Sequence, residues 1–226
     1  MKSETSTTQR NQISPRITYS SSFFLFLIGS ILGFVLEGLW RVIRFGHWEN
    51  HSALVWGPFC IVYGFGALIV YLLSHPLREK GLAVQFIAFS IAGSAVEYGT
   101  SYLQELIFGS TSWDYSHHLF NIDGRISLQM AAIWGILGIL FIKLLYPMLC
   151  RVMAKAQGKL PAIISFALSV FMLADFAVSG LAVLRWAERQ NSAPPANGVE
   201  VWLDETYNDE KMSSIYCNMR FAEPRK

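Results

Sequence analysis

The sequence predicts an all-α polytopic transmembrane bundle, with five membrane-spanning helices arranged as a tandem parallel two-helix repeat plus one extra helix. Three observations predict it. Hydrophobic residues make up 53% of the 226 and charged residues only 15%, with a mean hydropathy of +0.36, leaving too few charges to clothe a soluble globule of this length. Apolar runs of about 20 residues, the length that crosses a hydrocarbon core of roughly 30 Å as a helix, recur along the chain. An acidic motif in the first run returns in the third. Lipid offers no partner to a free backbone N–H or C=O, so only helices or closed barrels cross it. A barrel would show short alternating strands instead.

Residues 1–22 form a polar leader, expected in the cytoplasm, with Lys2, Arg10 and Arg16. The first apolar run, Phe23 to Val42, carries Glu37, Trp40 and Arg41 near its end rather than a small-residue cleavage site, and so reads as a retained helix. The second, Ala53 to Leu73, contains Gly57-Pro58 and Gly64-x-Gly66. These mark either a helix break, of the kind that frees backbone groups near a substrate, or a packing feature. The third run is Leu82 to Ile107, the fourth Ile126 to Leu149 and the fifth Leu160 to Ala187. The transmembrane domain therefore covers 23–187, with repeat 1 at 23–73, repeat 2 at 82–149 and the fifth helix at 160–187. Residues 188–226 form a C-terminal tail. In it Gln190 to Gly198 reads as a linker and Val199 to Phe221 as a short amphipathic helix lying on the membrane.

Positive charges in short loops stay on the cytoplasmic side. One face carries Lys2, Arg10 and Arg16, then Arg78 and Lys80, then Arg151, Lys155 and Lys159, which puts the N-terminus inside. An odd helix count then puts the C-terminus outside. Arg41, Arg44, Arg185 and Arg189 lie near the outer ends and speak against this orientation.

The repeat rests on Ser30-Ile31-Leu32-Gly33-Phe34-Val35-Leu36-Glu37 and Ser90-Ile91-Ala92-Gly93-Ser94-Ala95-Val96-Glu97, which share S-I-x-G-x-x-x-E. Phe45-Gly46-His47-Trp48-Glu49 is echoed by Phe108-Gly109 and Trp113-Asp114, and Trp56-Gly57 by Trp134-Gly135. Counting along the helices puts Glu37, Glu97 and Asp175 each about 21 to 23 Å from the cytoplasmic start, in one layer. An ionisable group at that depth costs roughly 2.5 kcal/mol or more if it faces lipid, so these three should face the bundle interior. Glu37, Arg41 and Arg44 share one helix face, with Gly29 and Gly33 extending the stripe as G-x-x-x-G. Repeat 2 has Ser101 and Gln104 in place of the two arginines.

Plainer readings stand beside these. Glu37 with Arg41 could be an ion pair that only fastens helices, and both arginines could snorkel to the interface. Trp40, Trp48, Trp56, Trp113 and Trp186 suit an aromatic belt. His47, His51, His117 and His118 lack a helix-spaced third ligand, so no metal is expected and no cofactor is implied. Cys60, Cys150 and Cys217 give neither metal spacing nor a disulfide framework, although a Cys60 to Cys217 pair stays open. The net charge of +2 is too small and dispersed for nucleic acid.

Glu37-Gly38-Leu39-Trp40-Arg41, Trp56-Gly57-Pro58-Phe59-Cys60 with Tyr63-Gly64, Trp113-Asp114-Tyr115-Ser116 and Phe120-Asn121-Ile122-Asp123-Gly124-Arg125-Ile126 occur in order. This set resembles the bacterial ABC-transporter type IV, or CmpB-like permease, family over roughly Phe23 to Leu145. The resemblance implies a multi-pass bacterial inner-membrane protein of transport function, with a separate ATPase subunit or another membrane protein as partner beside the lipid bilayer. A homo-oligomer is equally compatible. No G-x-x-x-x-G-K-S/T loop occurs, so an ATPase would be another chain. Candidate substrate- or ion-binding residues are Glu37, Arg41, Arg44, Glu97, Asp114, Arg125 and Asp175. Two other classes stay open. One is a membrane-embedded enzyme holding a lipid phosphate on Arg41, Arg44 and Arg125 with Glu37 or Glu97 as general base. The other is an assembly or scaffold protein.

Overall fold

The computed structural model describes residues 18–155 and 158–221. Lys2, Arg10 and Arg16, and the side chains of Cys150 and Lys155, lie outside the described residues. Of the described residues, 72% are helical. Helix α1 (Tyr19–Phe45) starts on a reciprocal Thr18–Ser21 cap and ends at Gly46, whose φ of +79° breaks the helix. Helix α3 (Leu82–Phe108) ends the same way at Gly109. Helix α4 (Leu128–Leu140), capped by Ser127, runs through a π-helical turn (Phe141–Leu145) into α5 (Tyr146–Lys155). Helix α6 (Lys159–Gln190) has 32 residues. Four helical stretches, Tyr19–Phe45, Leu82–Phe108, Leu128–Leu149 and Lys159–Gln190, are long and apolar enough to cross a membrane.

Helix α2 (Ile61–Leu77) has only 17 residues and falls short of that length. The sequence placed its start at Ala53, but the chain is unwound from Ala53 to Cys60. Pro58 supplies no N–H and disfavours a helical Gly57, and the freed backbone groups find other partners. The Ala53 N–H bonds the Phe59 carbonyl (2.8 Å), and the Cys60 N–H reaches the Ser30 carbonyl in the middle of α1 (3.0 Å). Of the two alternatives for Gly57-Pro58, the break is the one realised.

Helices α1 and α2 pack along each other, as do α3 and α4. Helix α2 also lies against α3, and α6 lies on the outside of α1. Leu25, Val70, Tyr71, Phe89, Phe141, Ile142 and Tyr146 form the core between them.

The tail, expected as one short amphipathic helix, is divided into two. It folds into α7 (Gly198–Thr206) and α8 (Asp209–Ile215), capped by Asn197 and Asn208. A two-residue strand β2 (Arg220–Phe221) then pairs antiparallel with β1 (Ser110–Thr111). Leu203, Tyr207, Met212, Ile215 and Tyr216 bury against Ala182, Val183 and Trp186 of α6, while Val199, Val201 and Trp202 of α7 stay exposed. Trp186 is thereby a core residue rather than part of an aromatic belt. Arg185 takes Asp204 (2.9 Å) and Glu188 (2.9 Å), and Arg189 takes Asp204 (2.6 Å) and Asp209 (2.7 Å). The acids Asp204 and Asp209 that meet these two arginines come from the tail, so the pairs fasten it to α6.

Candidate functional site

The two repeated motifs place Glu37 on α1 and Glu97 on α3, near enough for the charge of one to act on the other. Glu97 is buried, at 5% exposure. Its Oε2 accepts the indole N–H of Trp134 at 2.7 Å, and its Oε1 the hydroxyl of Tyr115 at 2.8 Å. Glu37, half-buried, accepts the Tyr63 hydroxyl at 2.6 Å. Among the described residues neither carboxylate forms an ion pair with a Lys, Arg or His. Neutral donors offset only part of the several kcal/mol that desolvating a carboxylate costs.

Glycine seats the donors. A Cβ built on Gly33 would lie 2.3 Å from the Tyr63 ring, and one on Gly93 would lie 2.3 Å from the Trp134 ring. Each aromatic therefore sits where the motif's own glycine leaves room, one turn below its glutamate. The two rings meet at 6.2 Å between centroids. One turn farther in, Gly64 faces Ser30 and Phe26, while Gly135 faces Ser90 and Phe86. Trp134-Gly135 and Tyr63-Gly64 thus make like contacts in the two helix pairs, whereas Trp56-Gly57 lies in the unwound segment.

Tyr115 comes from the loop between α3 and α4. Burial first, and then the charge of Glu97, holds its phenol well above the ordinary range, so it is a donor at any ordinary pH. Asp114, beside it, is exposed and accepts the backbone N–H (2.8 Å) and hydroxyl (3.0 Å) of Ser116. Those bonds, led by the backbone one, hold its carboxyl below the usual range. It shapes the loop and does not join the pair.

The arginines turn away from the glutamates. Arg41 lies 3.2 Å from Glu49 and donates to His51 (3.2 Å) and Asn218 (3.2 Å). Arg125 pairs with Glu105 (2.5 Å), donates to Ser101 (3.2 Å) and lies over the rings of Tyr98 and Tyr102. Ser101 stands where repeat 1 has Arg41. In the first hairpin the arginine is on the helix and its acid in the loop, whereas in the second the two are exchanged. Arg44 is exposed over Phe45. With Arg41 and Arg125 each holding a carboxylate, the phosphate clamp of the enzyme reading is already occupied.

Asp175 sits apart. Ser165 of α6 meets Ser20 of α1 at 3.0 Å. Farther along α6, Asp175 meets the unwound segment and not the glutamates. Its Oδ1 accepts the Trp56 backbone N–H at 3.2 Å. The structure therefore joins two of the three expected acids and gives the third to the unwound segment.

Glu49, His51 and Cys217 bring potential metal-ligand atoms within 4.8 Å of one another. The Arg41 guanidinium donates to His51 Nε2 and faces Glu49 Oε2, so a protein cation already fills that position. Burial holds the His51 imidazole below its ordinary value, keeping it neutral beside Arg41. Cys60 and Cys217 are both free, so the open pairing between them is not made.

Sequence reasoning found the two glutamates but missed Tyr63, Trp134 and Tyr115 as their donors. The available signal was an aromatic residue directly before a glycine in each second helix. No match was found among curated proteins or among solved structures. Residues 24–180, well over half of the chain, match the family described as Putative ABC-transporter type IV, and the chain belongs to that family.

Proposed function

We propose that this chain is the membrane-embedded permease of a transport system and that the Glu37–Glu97 pair binds the positive charge of the substrate or of a coupling ion. One observation carries the reading: two carboxylates on separate hairpins, held by Tyr63, Trp134 and Tyr115 and by no cationic side chain among the described residues. The matched contacts at Gly33 and Gly93, and at Gly64 and Gly135, support a duplicated hairpin. In this reading α2 crosses together with the unwound segment before it, giving five passages, a cytoplasmic N-terminus and an external C-terminal cap in a bacterial inner membrane. Energy from ATP would come from a separate subunit.

The test is a scan of function in cells that compares Glu37→Gln and Glu97→Gln with polar substitutions at lipid-facing Ile87 and Ile91. The expected result is loss of function at the two glutamates, with Arg41→Gln milder because its partners are structural. Glutamate variants indistinguishable from the lipid-facing controls would reject the site.

A further inference from the structure

Helix α2 ends at Leu77, and α3 begins at Leu82 with Gly81 as its cap residue. One side chain gathers the turn between them. The Nε2 of Gln85, fully buried on α3, donates to the carbonyls of Leu77 (3.0 Å) and Lys80 (2.9 Å). These acceptors at the end of α2 are thereby met inside the protein. On the outer side of the turn His75, Glu79 and Lys80 are exposed and Arg78 is half-buried. A cavity of about 470 Å³ opens there, lined by His75, Pro76, Arg78, Glu79 and Lys80. Its volume lies within the roughly 300–1,000 Å³ of small-ligand sites.

The lining suits an anion. Arg78 and Lys80 against Glu79 leave one net positive charge, and the His75 ring adds a donor. Glu79, with its side chain 80% exposed, stands 3.7 Å from the Arg78 Nε, a loose pair that water screens. No ion pair among the described residues includes Lys80. No side chain caps the start of α3, so the positive end of its dipole adds to the field beside Lys80. A phosphodiester carries one negative charge and matches this balance, with the guanidinium as a forked donor and the ammonium as a point charge. Exposed Leu72, one turn inward of Pro76, and exposed Leu82, two residues past Lys80, continue the site as apolar surface. A basic cavity joined to apolar surface fits a phospholipid better than a soluble phosphate, and basic pockets between membrane helices hold anionic head groups.

We infer that the turn between α2 and α3 binds an anionic phospholipid, with the phosphodiester on Arg78 and Lys80 and the acyl chains along Leu72 and Leu82. The site does not depend on the Glu37–Glu97 pair, which lies toward the other ends of α1 and α3. The experiment measures the melting temperature of the full chain in a neutral detergent as phosphatidylglycerol, phosphatidylcholine or inorganic phosphate is added. A saturable rise of several degrees is expected with phosphatidylglycerol and not with the other two. Lys80→Gln should raise the half-saturating lipid fraction about fivefold, and Arg78→Gln combined with Lys80→Gln about thirtyfold. Arg44→Gln, which removes an exposed arginine at the far end of α1, should leave it unchanged. The proposal is overturned by a wild type without the rise, by an equal rise with phosphatidylcholine, or by a half-saturation that the double variant does not move. An equal rise with inorganic phosphate would assign the cavity to a soluble phosphate compound, and a shift in Arg44→Gln as large as in Lys80→Gln would reduce the effect to general charge; either overturns it. Should the double variant not fold, exposed Lys80→Gln decides alone, and an unmoved half-saturation there overturns the proposal equally.

Discussion

Charge that leaves water must be met by something, and residue by residue the chain meets it in two ways. Arg41, Arg125, Arg185 and Arg189 take carboxylates, whereas Glu37 and Glu97 take only neutral hydroxyl and indole donors. The sequence made the acids visible, because a Glu in an apolar run is conspicuous. It could not show their partners, since spacing along α1 suggested Arg41 for Glu37, and only tertiary structure brings Glu49 to Arg41 instead. His51 gives a prediction at this scale. Burial lowers its pKa in the folded protein below the usual 6.5, with Arg41 acting the same way and Glu37 and Glu49 opposing. The unfolded chain therefore binds the proton first as pH falls, so this contribution to stability is present above about pH 6.5 and is lost below it. Thermal melts should show the cap loosening between neutral and mildly acidic pH, with the acid sensitivity reduced in His51→Gln. A melting profile equally acid-sensitive in that variant would remove His51 from the account.

Among the elements, the long helices were legible from their apolar runs, whereas the capping glycines Gly46 and Gly109, each after a Phe, were read only as echoes of one another. The start of α2 was not. Ala53 to Cys60 is as apolar as a helix would be, and what unwinds it is Pro58 together with partners contributed by α6 and α1, which are remote in sequence. The tail was legible only in part, for a related reason. An amphipathic stretch shows that it has an apolar side, but not whether lipid or α6 covers it. The glycine seats are testable at this scale. Gly33→Ala and Gly93→Ala put a methyl group against the body of an aromatic ring, and each should destabilise by about 1–3 kcal/mol as the hairpin helices are forced apart. Gly99→Ala, on the same helix with nothing within 4 Å of the added carbon, should be neutral or stabilising by up to about 1 kcal/mol. Melting temperatures in detergent measure all three. Equal effects at Gly93 and Gly99 would mean that the Trp134 seat contributes nothing.

At the level of the whole molecule, the α1–α2 and α3–α4 pairs hold the acidic pair, α6 lies on the outside of α1, and the tail closes one end of the assembly. It does so through Trp56 Nε1 to Tyr207 (2.7 Å), Tyr216 to the Ala53 carbonyl (3.3 Å) and the β1–β2 pairing. This cap ties the unwound segment, the Tyr115 loop and α6 to one another, so a movement at any of the three reaches the others. A carbodiimide reacts with protonated carboxyl groups in apolar surroundings, and it tests the central claim most directly when the modified residues are mapped by mass spectrometry in native membranes. The account predicts labelling at Glu97 and Glu37 that slows as a bound cation competes, and that is lost at each site in its Gln variant. Exposed carboxylates such as Glu79, labelled while Glu37 and Glu97 stay unmodified at every pH, would contradict it.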